Sequence, residues 1–187
     1  GIPAMKSISH SAKGTRIGAA VSGAELGEHK AVAKAWPGVV EATNLIGSDQ
    51  IQSRCTMVGN LCNASPAADS VPAMIAAGAK VVVVSRSRRR TVPVEKIVTG
   101  PGQTSLAKGE IIEAVILPAR PARSGDAYLR FTPRTEMDIA VVSVGVNLTL
   151  ERGRIKAARV VLGAVAPTAV IVPAAAKAII GTRLNDA

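Results

Sequence analysis

Residues 56–69 read TMVGNLCNASPAAD, a stretch of small and polar residues between two apolar segments. A stretch of this composition can be an ordinary loop. It can also be a backbone shaped to lie against a flat, polar ligand such as a nucleotide cofactor. Gly59 permits close approach of a ligand to the main chain. Short hydrogen-bonding side chains stand around it, at Thr56, Asn60, Asn63 and Ser65.

A helix is predicted at the end of this stretch, over residues 67–77. Ser65 is a good N-cap and Pro66 a good first helical residue, and Gly78 fits the C-terminal end. The positive end of such a helix favours an anion, and Asp69 in its first turn can accept hydrogen bonds from sugar hydroxyls. By composition alone the capped loop is the favoured interpretation, because one glycine-rich loop is weak evidence for a ligand site.

The composition limits the class of protein. The chain has 187 residues, of which 48% are hydrophobic and only 2% aromatic, so one or two domains with a core of Ala, Val, Ile and Leu are expected. The lack of aromatic residues argues against modules that stack nucleic-acid bases. The net charge of +10 leaves nucleic acid, a membrane surface or an acidic partner open. The basic residues cluster once, at 86–90, where a solvated turn is favoured over a subunit contact or an anion site.

The pattern of apolar residues predicts an α+β fold. Strands are predicted at 16–21, 80–84, 91–94 and 109–118, and short helices at 23–27, 29–35 and 37–47. Ser22 and Glu25 form a capping box at the first helix. Residues 98–104 are predicted to be a loop.

A second domain is predicted after the change of composition at residues 119–127. Apolar residues alternate in VVSVGVNLTL and IKAARVVLGAV, which is typical of antiparallel strands, and a helix is predicted over 173–181. The predicted domains are therefore 1–122, an antiparallel sheet with flanking helices, and 123–187, a smaller three-stranded sheet with a helix.

The sequence offers no metal site and no catalytic residue. Cys55 and Cys62 give neither a disulfide framework nor a four-ligand spacing, so both are interpreted as small loop residues in a reducing, cytoplasmic protein. His10 and His29 have no partner acid or nucleophile at a usable spacing. The chain contains no run of about 18 apolar residues, so no membrane span is predicted.

Four segments of the sequence carry a resemblance to a known family. The segment TMVGNLCNASPAAD is followed by a predicted helix, a strand and a basic turn, and Arg130, Arg134 and Asp138-Ile139-Ala140 form a second motif. GEIIEAVILP and LGAVAPTAVIVPAAAKAIIG add a third and a fourth segment in the same order. Together they resemble the flavin-binding (medium) subunit of the molybdenum hydroxylases, the family of carbon monoxide dehydrogenase and xanthine dehydrogenase.

The resemblance implies a set of FAD contacts. The implied cofactor-binding residues are Thr56, Gly59, Asn60, Cys62, Asn63, Ser65, Asp69, Ile111, Ile112 and Arg130. Asp69 would hold the ribityl hydroxyls, and the two isoleucines would supply backbone and apolar contacts beside the flavin or adenine. Arg130 matches a basic position near the isoalloxazine ring, where a cation stabilises the charge of a reduced flavin.

The resemblance also implies an oxidoreductase subunit with partner chains. A large subunit would carry molybdopterin and a small subunit the [2Fe–2S] clusters. Electrons would pass from the clusters through FAD to an external acceptor, which is NAD, a quinone or oxygen. No nucleic-acid partner is implied.

Two departures from the family keep a second hypothesis open. The family's Gly-Gly pair reads Val58-Gly59 here, and a β-branched side chain is expected to crowd the cofactor. Relative to the family, the sequence is also expected to lack the N-terminal segment that carries a pyrophosphate-binding loop, and the helices that close the C-terminal domain. The alternative is a non-catalytic interaction subunit of the same fold that has lost flavin binding. A basic anion- or nucleic-acid-binding domain is the third hypothesis.

Overall fold

A computed structural model of the chain describes residues 2–135 and 137–183. Antiparallel strands form two main sheets and one small hairpin. The strands are β1 (Ile8–Ser11), β2 (Gly14–Gly18), β3 (Lys80–Val84), β4 (Arg89–Pro93), β5 (Val98–Gly100), β6 (Gln103–Thr104), β7 (Ile111–Pro118), β8 (Ser124–Phe131), β9 (Val142–Glu151), β10 (Arg154–Gly163) and β11 (Val170–Ile171). The strand order is β1-β2-β7-β3-β4 in the first sheet and β11-β10-β9-β8 in the second, and β5 pairs with β6.

The helices are short, and most of them precede or follow strands of the first sheet. They are α1 (Gly23–Glu28), α2 (Lys30–Ala35), α3 (Pro37–Asn44), α4 (Asp49–Gln52), α5 (Met57–Asn63), α6 (Ser70–Ala76) and α7 (Pro173–Ile179). The predicted capping box is confirmed, since the Ser22 hydroxyl accepts from the backbone N–H of Glu25 and the Glu25 carboxylate accepts from the backbone N–H of Ser22. The α+β class is confirmed. No helix in the described part of the chain has the length and apolar character needed to cross a membrane.

The stretch at 56–69 differs from its prediction. Residues predicted to be a loop form α5, which begins after Thr56, whose hydroxyl accepts from the N–H of Gly59 at 2.8 Å. The left-handed conformation of Ala64 (φ 53°) ends α5. The next helix begins at Ser70 and not at Pro66, so the turn before it contains Asp69. Pro72 then lies in the first turn of α6, where a helix needs no backbone donor.

The second sheet contains the three predicted long strands and one short addition. The two-residue strand β11 pairs with β10 at Val161 and Leu162. The segment 98–104, predicted to be a loop, contains the hairpin β5–β6. Both differences involve strands of only two or three residues, which periodicity cannot detect.

Helix α6 packs on the second sheet, against β8, β9 and β10, and it also contacts α3 and α5. A Cβ atom at Gly145 of β9 would lie 2.7 Å from the carbonyl carbon of Pro72, so the absence of a side chain there permits close packing. Leu61, Met74 and Val81 are among the fully buried residues of the core. The helix α3 contacts β8 of the second sheet, which places the end of α3 beside Arg130.

Candidate functional site

A cavity of about 290 Å³ lies where α5, the turn before α6, the end of α3 and strand β8 meet. Its wall consists of residues 45–47, Asn60 and Asn63 of α5, Ser65, residues 67–69, Arg130 of β8 and residues 137–139. The end of α3, helix α5 and the turn before α6 supply one side of the cavity. Strand β8 and the segment after it supply the other side. The cavity is therefore built by parts of the chain that are far apart in sequence.

Five of the ten predicted cofactor-binding residues line this cavity. They are Asn60, Asn63, Ser65, Asp69 and Arg130. The remaining five lie outside its wall and occupy two other places: Thr56, Gly59 and Cys62 belong to α5 or its cap, and Ile111 and Ile112 begin β7. The structure thus brings half of the predicted set together in one cavity.

The carboxylate of Asp69 is the best-connected group of the cavity. The Tyr128 hydroxyl donates to its Oδ1 at 2.7 Å, and Arg130 Nη1 donates to its Oδ2 at 2.9 Å. Only 8% of Asp69 is exposed. Burial raises the pKa of Asp69, and the hydrogen bonds from Tyr128 and the charge of Arg130 partly offset that rise. The carboxylate predicted to bind sugar hydroxyls therefore already accepts two protein hydrogen bonds.

Arg130 links three parts of the chain. Its Nη1 donates to the Leu45 carbonyl oxygen at 3.1 Å as well as to Asp69. The Leu45 carbonyl lies at the C-terminal end of α3, where carbonyl groups have no partner within the helix. A cation is favourable at this position, because it also faces the negative end of a helix. The guanidinium is held by one nitrogen, and it forms part of the cavity wall.

Asn60 has a structural bond in addition to its place in the cavity. Its Oδ1 accepts from the backbone N–H of Ser70 at 3.2 Å and from the Ser70 hydroxyl at 2.7 Å. The side-chain oxygen thereby caps the start of α6. The amide nitrogen is the group of Asn60 that can serve a ligand.

One face of α5 is exposed. Gly59, Cys62 and Asn63 are exposed, whereas Val58 and Leu61 are buried in the core. A Cβ atom at Gly59 would meet only the Thr56 hydroxyl, at 3.1 Å, so the space beyond the backbone is open. The expectation that Val58 crowds a ligand is wrong, because its backbone is helical and its side chain is only 8% exposed within the core.

The two isoleucines of β7 differ from each other in exposure. Ile111 is 50% exposed, and Ile112 is 3% exposed and belongs to the core. Successive residues of a strand point to opposite faces, so only one of the pair can offer its side chain to a ligand. The side chain of Ile112 serves packing.

Tyr128 binds a residue of the cavity wall, Asp69, and is absent from the predicted set. It precedes Arg130 by two positions on β8, so both side chains lie on the same face of the strand. The two-residue spacing between Tyr128 and Arg130 is visible in the sequence and places both side chains on the same face of a predicted strand. Arg134 and Asp138, which belong to the second quoted motif, form an ion pair at 3.1 Å, and Asp138 also lines the cavity.

The other singled-out residues have local partners. His10 hydrogen-bonds the Thr15 hydroxyl at 2.7 Å, and His29 Nδ1 accepts from the backbone N–H of Val32. In the basic turn, Arg90 pairs with Glu110 at 2.7 Å, and Arg89 pairs with Glu113. Cys55 and Cys62 are free thiols, and partial desolvation raises the pKa of each.

Comparison with known proteins identifies related sequences and folds. Residues 1–120 match the family described as the FAD binding domain in molybdopterin dehydrogenase, and residues 127–187 match the CO dehydrogenase flavoprotein C-terminal domain. The xanthine dehydrogenase FAD-binding subunit of Escherichia coli O157:H7 is 32% identical over 154 residues, covering 82% of this chain and 53% of that protein. The nicotine 6-hydroxylase medium subunit of Paenarthrobacter nicotinovorans is 30% identical over 184 residues, covering 98% of this chain and 64% of that protein.

The solved structures agree with the sequence matches. Carbon monoxide dehydrogenase of Hydrogenophaga pseudoflava superposes with a TM-score of 0.92 at 29% identity, covering 99% of this chain and 64% of the matched chain. Quinoline 2-oxidoreductase of Pseudomonas putida 86 superposes with a TM-score of 0.88 at 27% identity, over 98% and 64% of the two chains. The chain thus spans about half to two thirds of the length of these relatives.

Proposed function

This chain belongs to the family of FAD-binding domains in molybdopterin dehydrogenases, and from that premise we propose that it is the FAD-binding part of a molybdenum hydroxylase subunit. The observation that supports this proposal is the cavity, whose wall contains five of the residues that the family motifs assign to flavin binding. These residues come from two separate segments of the chain, residues 60–69 and strand β8. Their convergence supports a ligand site over a set of independent structural roles.

The residues around the cavity fit part of FAD. At about 290 Å³ the cavity is near the lower end of the range for ligand sites, so it suits one portion of a large cofactor. Asn63 and Ser65 offer hydrogen bonds, and Arg130 offers a positive charge to an electron-rich ring. The open backbone at Gly59 suits the continuation of the cofactor along α5.

The role of the chain is to hold and tune the cofactor. FAD supplies the electron-transfer chemistry when bound. Arg130 favours negative charge nearby, and Asp69 fixes Arg130. The side chains of that ion pair are each about a tenth exposed.

The proposal includes an assembly of this chain with partner subunits. The relatives named medium subunit and FAD-binding subunit support partner chains, which we propose to be a large molybdopterin subunit and a small iron–sulfur subunit. NAD, a quinone or oxygen is the proposed external acceptor. We place the complex in the cytoplasm, where the free thiols Cys55 and Cys62 remain reduced. The proposed domain boundary remains between residues 122 and 123, within the segment that joins β7 to β8.

The proposal is tested by titrating FAD into the purified chain and following flavin fluorescence. Saturable binding by the wild type is expected. Gly59→Ala should weaken it although alanine has the higher helix propensity, because the new methyl group occupies the open face of α5. Arg130→Gln should also weaken it. Gly125→Ala is the matched control, since a Cβ atom there meets nothing within 4 Å.

The outcomes separate the two hypotheses. Binding that both site variants weaken and the control preserves supports the flavin subunit. Binding that none of the variants changes places the cofactor elsewhere. A wild-type chain that does not bind FAD refutes the proposal and favours the interaction subunit that has lost its flavin.

A further inference from the structure

Tyr128 is the only tyrosine of the chain and is 4% exposed. It lies on β8, facing the first sheet's helices, and its hydroxyl donates to Asp69 Oδ1 at 2.7 Å. The phenol hydroxyl therefore ties strand β8 to the turn before α6.

Tyr128 and Arg130 bind different oxygens of one carboxylate. The Tyr128 hydroxyl donates to Oδ1, and Arg130 Nη1 donates to Oδ2 at 2.9 Å. The torsion that turns the Asp carboxylate is broad and roughly two-fold, so one hydrogen bond leaves its plane poorly defined. Two hydrogen bonds from different directions define the plane. The orientation of Oδ2 toward Arg130 thus depends on the hydroxyl of Tyr128.

The hydroxyl is not needed to fill space. A phenylalanine ring would occupy the same buried volume on β8 and preserve its apolar contacts. The group that distinguishes tyrosine is the one that binds Asp69. Arg130, with several rotatable bonds, contributes only Nη1 to its two protein contacts, at Asp69 and Leu45. Loss of a defined Oδ2 would therefore release the guanidinium from its place in the cavity wall.

We propose that Tyr128 is a positioning residue of the flavin site, which acts through Asp69 to hold the Arg130 guanidinium at the cavity. This inference rests on the proposed FAD-binding function. It adds a residue that does not line the cavity and that would not be found by inspecting the cavity wall. It also assigns Asp69 a role different from direct binding of sugar hydroxyls.

The test is a double-mutant cycle on the FAD dissociation constant, measured with the full chain by flavin fluorescence. Tyr128→Phe is expected to raise the dissociation constant about tenfold, the effect of one hydrogen bond to a charged group. Arg130→Gln should raise it by a similar factor in the wild type and by less than about threefold in the Tyr128→Phe background. Thr15→Val, which removes a 1% exposed hydroxyl bonded to His10, controls for loss of any buried hydroxyl and should leave the constant unchanged.

A second readout needs no cofactor. Since Tyr128 is the sole tyrosine, phenolate absorbance during an alkaline titration reports that residue alone. Burial raises the pKa of Tyr128, and the neighbouring Asp69 carboxylate raises it further. Asp69→Asn should therefore lower the pKa of Tyr128 relative to the wild type, while Thr15→Val should not.

Each outcome of these measurements either supports or overturns the positioning role of Tyr128. The positioning role would be overturned, while the flavin function stands, by either of two results. One is a dissociation constant of the double variant that is raised by the product of the two single-variant factors. The other is a dissociation constant of Tyr128→Phe equal to that of the wild type. A wild-type chain without FAD binding overturns both proposals together. If Tyr128→Phe does not fold, an unshifted phenol pKa in Asp69→Asn overturns the positioning role, and a lowered one supports it.

Discussion

Replacing Asp69 by alanine should destabilise the chain strongly, and the structure gives the size of the effect. The change removes the acceptor of the Tyr128 hydroxyl and the counter-ion of Arg130, leaving only the Leu45 carbonyl as a partner for the guanidinium. The side chains of the ion pair are 12% and 11% exposed, so water can replace little of what is lost. Breaking a buried pair by removing one partner costs about 3–5 kcal/mol. We expect a loss of about 3 kcal/mol in the free energy of unfolding, at the lower end because Arg130 retains one bond.

Asp69→Asn should cost much less, about 1 kcal/mol or below. The amide oxygen can accept from Arg130, and the amide nitrogen can donate to the phenol oxygen of Tyr128. Burial raises the pKa of Asp69, so folding already disfavours the charged carboxylate relative to a neutral group of the same shape. The difference between the alanine and asparagine variants therefore measures the cost of leaving partners unsatisfied.

The assay is urea unfolding followed by circular dichroism and by the fluorescence of Trp36, the only tryptophan. Lys156→Ala is the control. It removes an ion pair with Glu151 of 2.6 Å in which both side chains are 57% exposed, and it should cost less than about 1 kcal/mol. An Asp69→Ala variant no less stable than Lys156→Ala, or equal in stability to Asp69→Asn, would refute the reasoning.

Two further predictions concern packing and pH. Gly145→Ala should lower the free energy of unfolding in urea by about 1–3 kcal/mol, because its Cβ would lie 2.7 Å from the backbone of α6. In the control Gly125→Ala, the new Cβ meets nothing within 4 Å, so this change should be nearly neutral. Equal losses in the two variants would contradict the close packing of α6 on β9. Hydrogen bonding to Arg90 lowers the pKa of Glu110 from 4.5 to about 2, so the stability from this pair is complete above pH 4.5 and is lost as the pH falls toward 2. Glu110→Gln should flatten that part of the pH–stability curve, and a curve of unchanged slope would contradict the pair.

Local signals in the sequence predicted those elements that local chemistry determines. The Ser22–Glu25 capping box needs only residues three apart, and the run at Lys80–Val84 is a strand in any context that buries it. Helix α5 was missed for the opposite reason. Gly59, Asn60 and Asn63 have poor helix propensity, and the helix forms because its opposite side packs in the core.

The candidate site could be predicted only in part. The resemblance supplied Asp69 and Arg130, but the bond between them joins residues 61 positions apart and requires the packing of α6 on the second sheet. The contact from Tyr128 to Asp69 has the same character, and no local rule specifies it. The start of α6 was misplaced because Ser65-Pro66 is a good local signal for a helix start that the turn around Asp69 overrides.

The hydrogen bond from Arg130 to the Leu45 carbonyl closes a loop of 85 residues. Contacts of such long sequence separation form late in folding, because the chain entropy of closing the loop must be overcome before they stabilise anything. During synthesis the strands β1–β4 and β7 can pair before β8 leaves the ribosome, yet one wall of the cavity belongs to β8. Assembly of the cavity therefore depends on the docking of the second sheet, and a nascent chain that has completed only its first sheet presents half of the surface that a ligand needs.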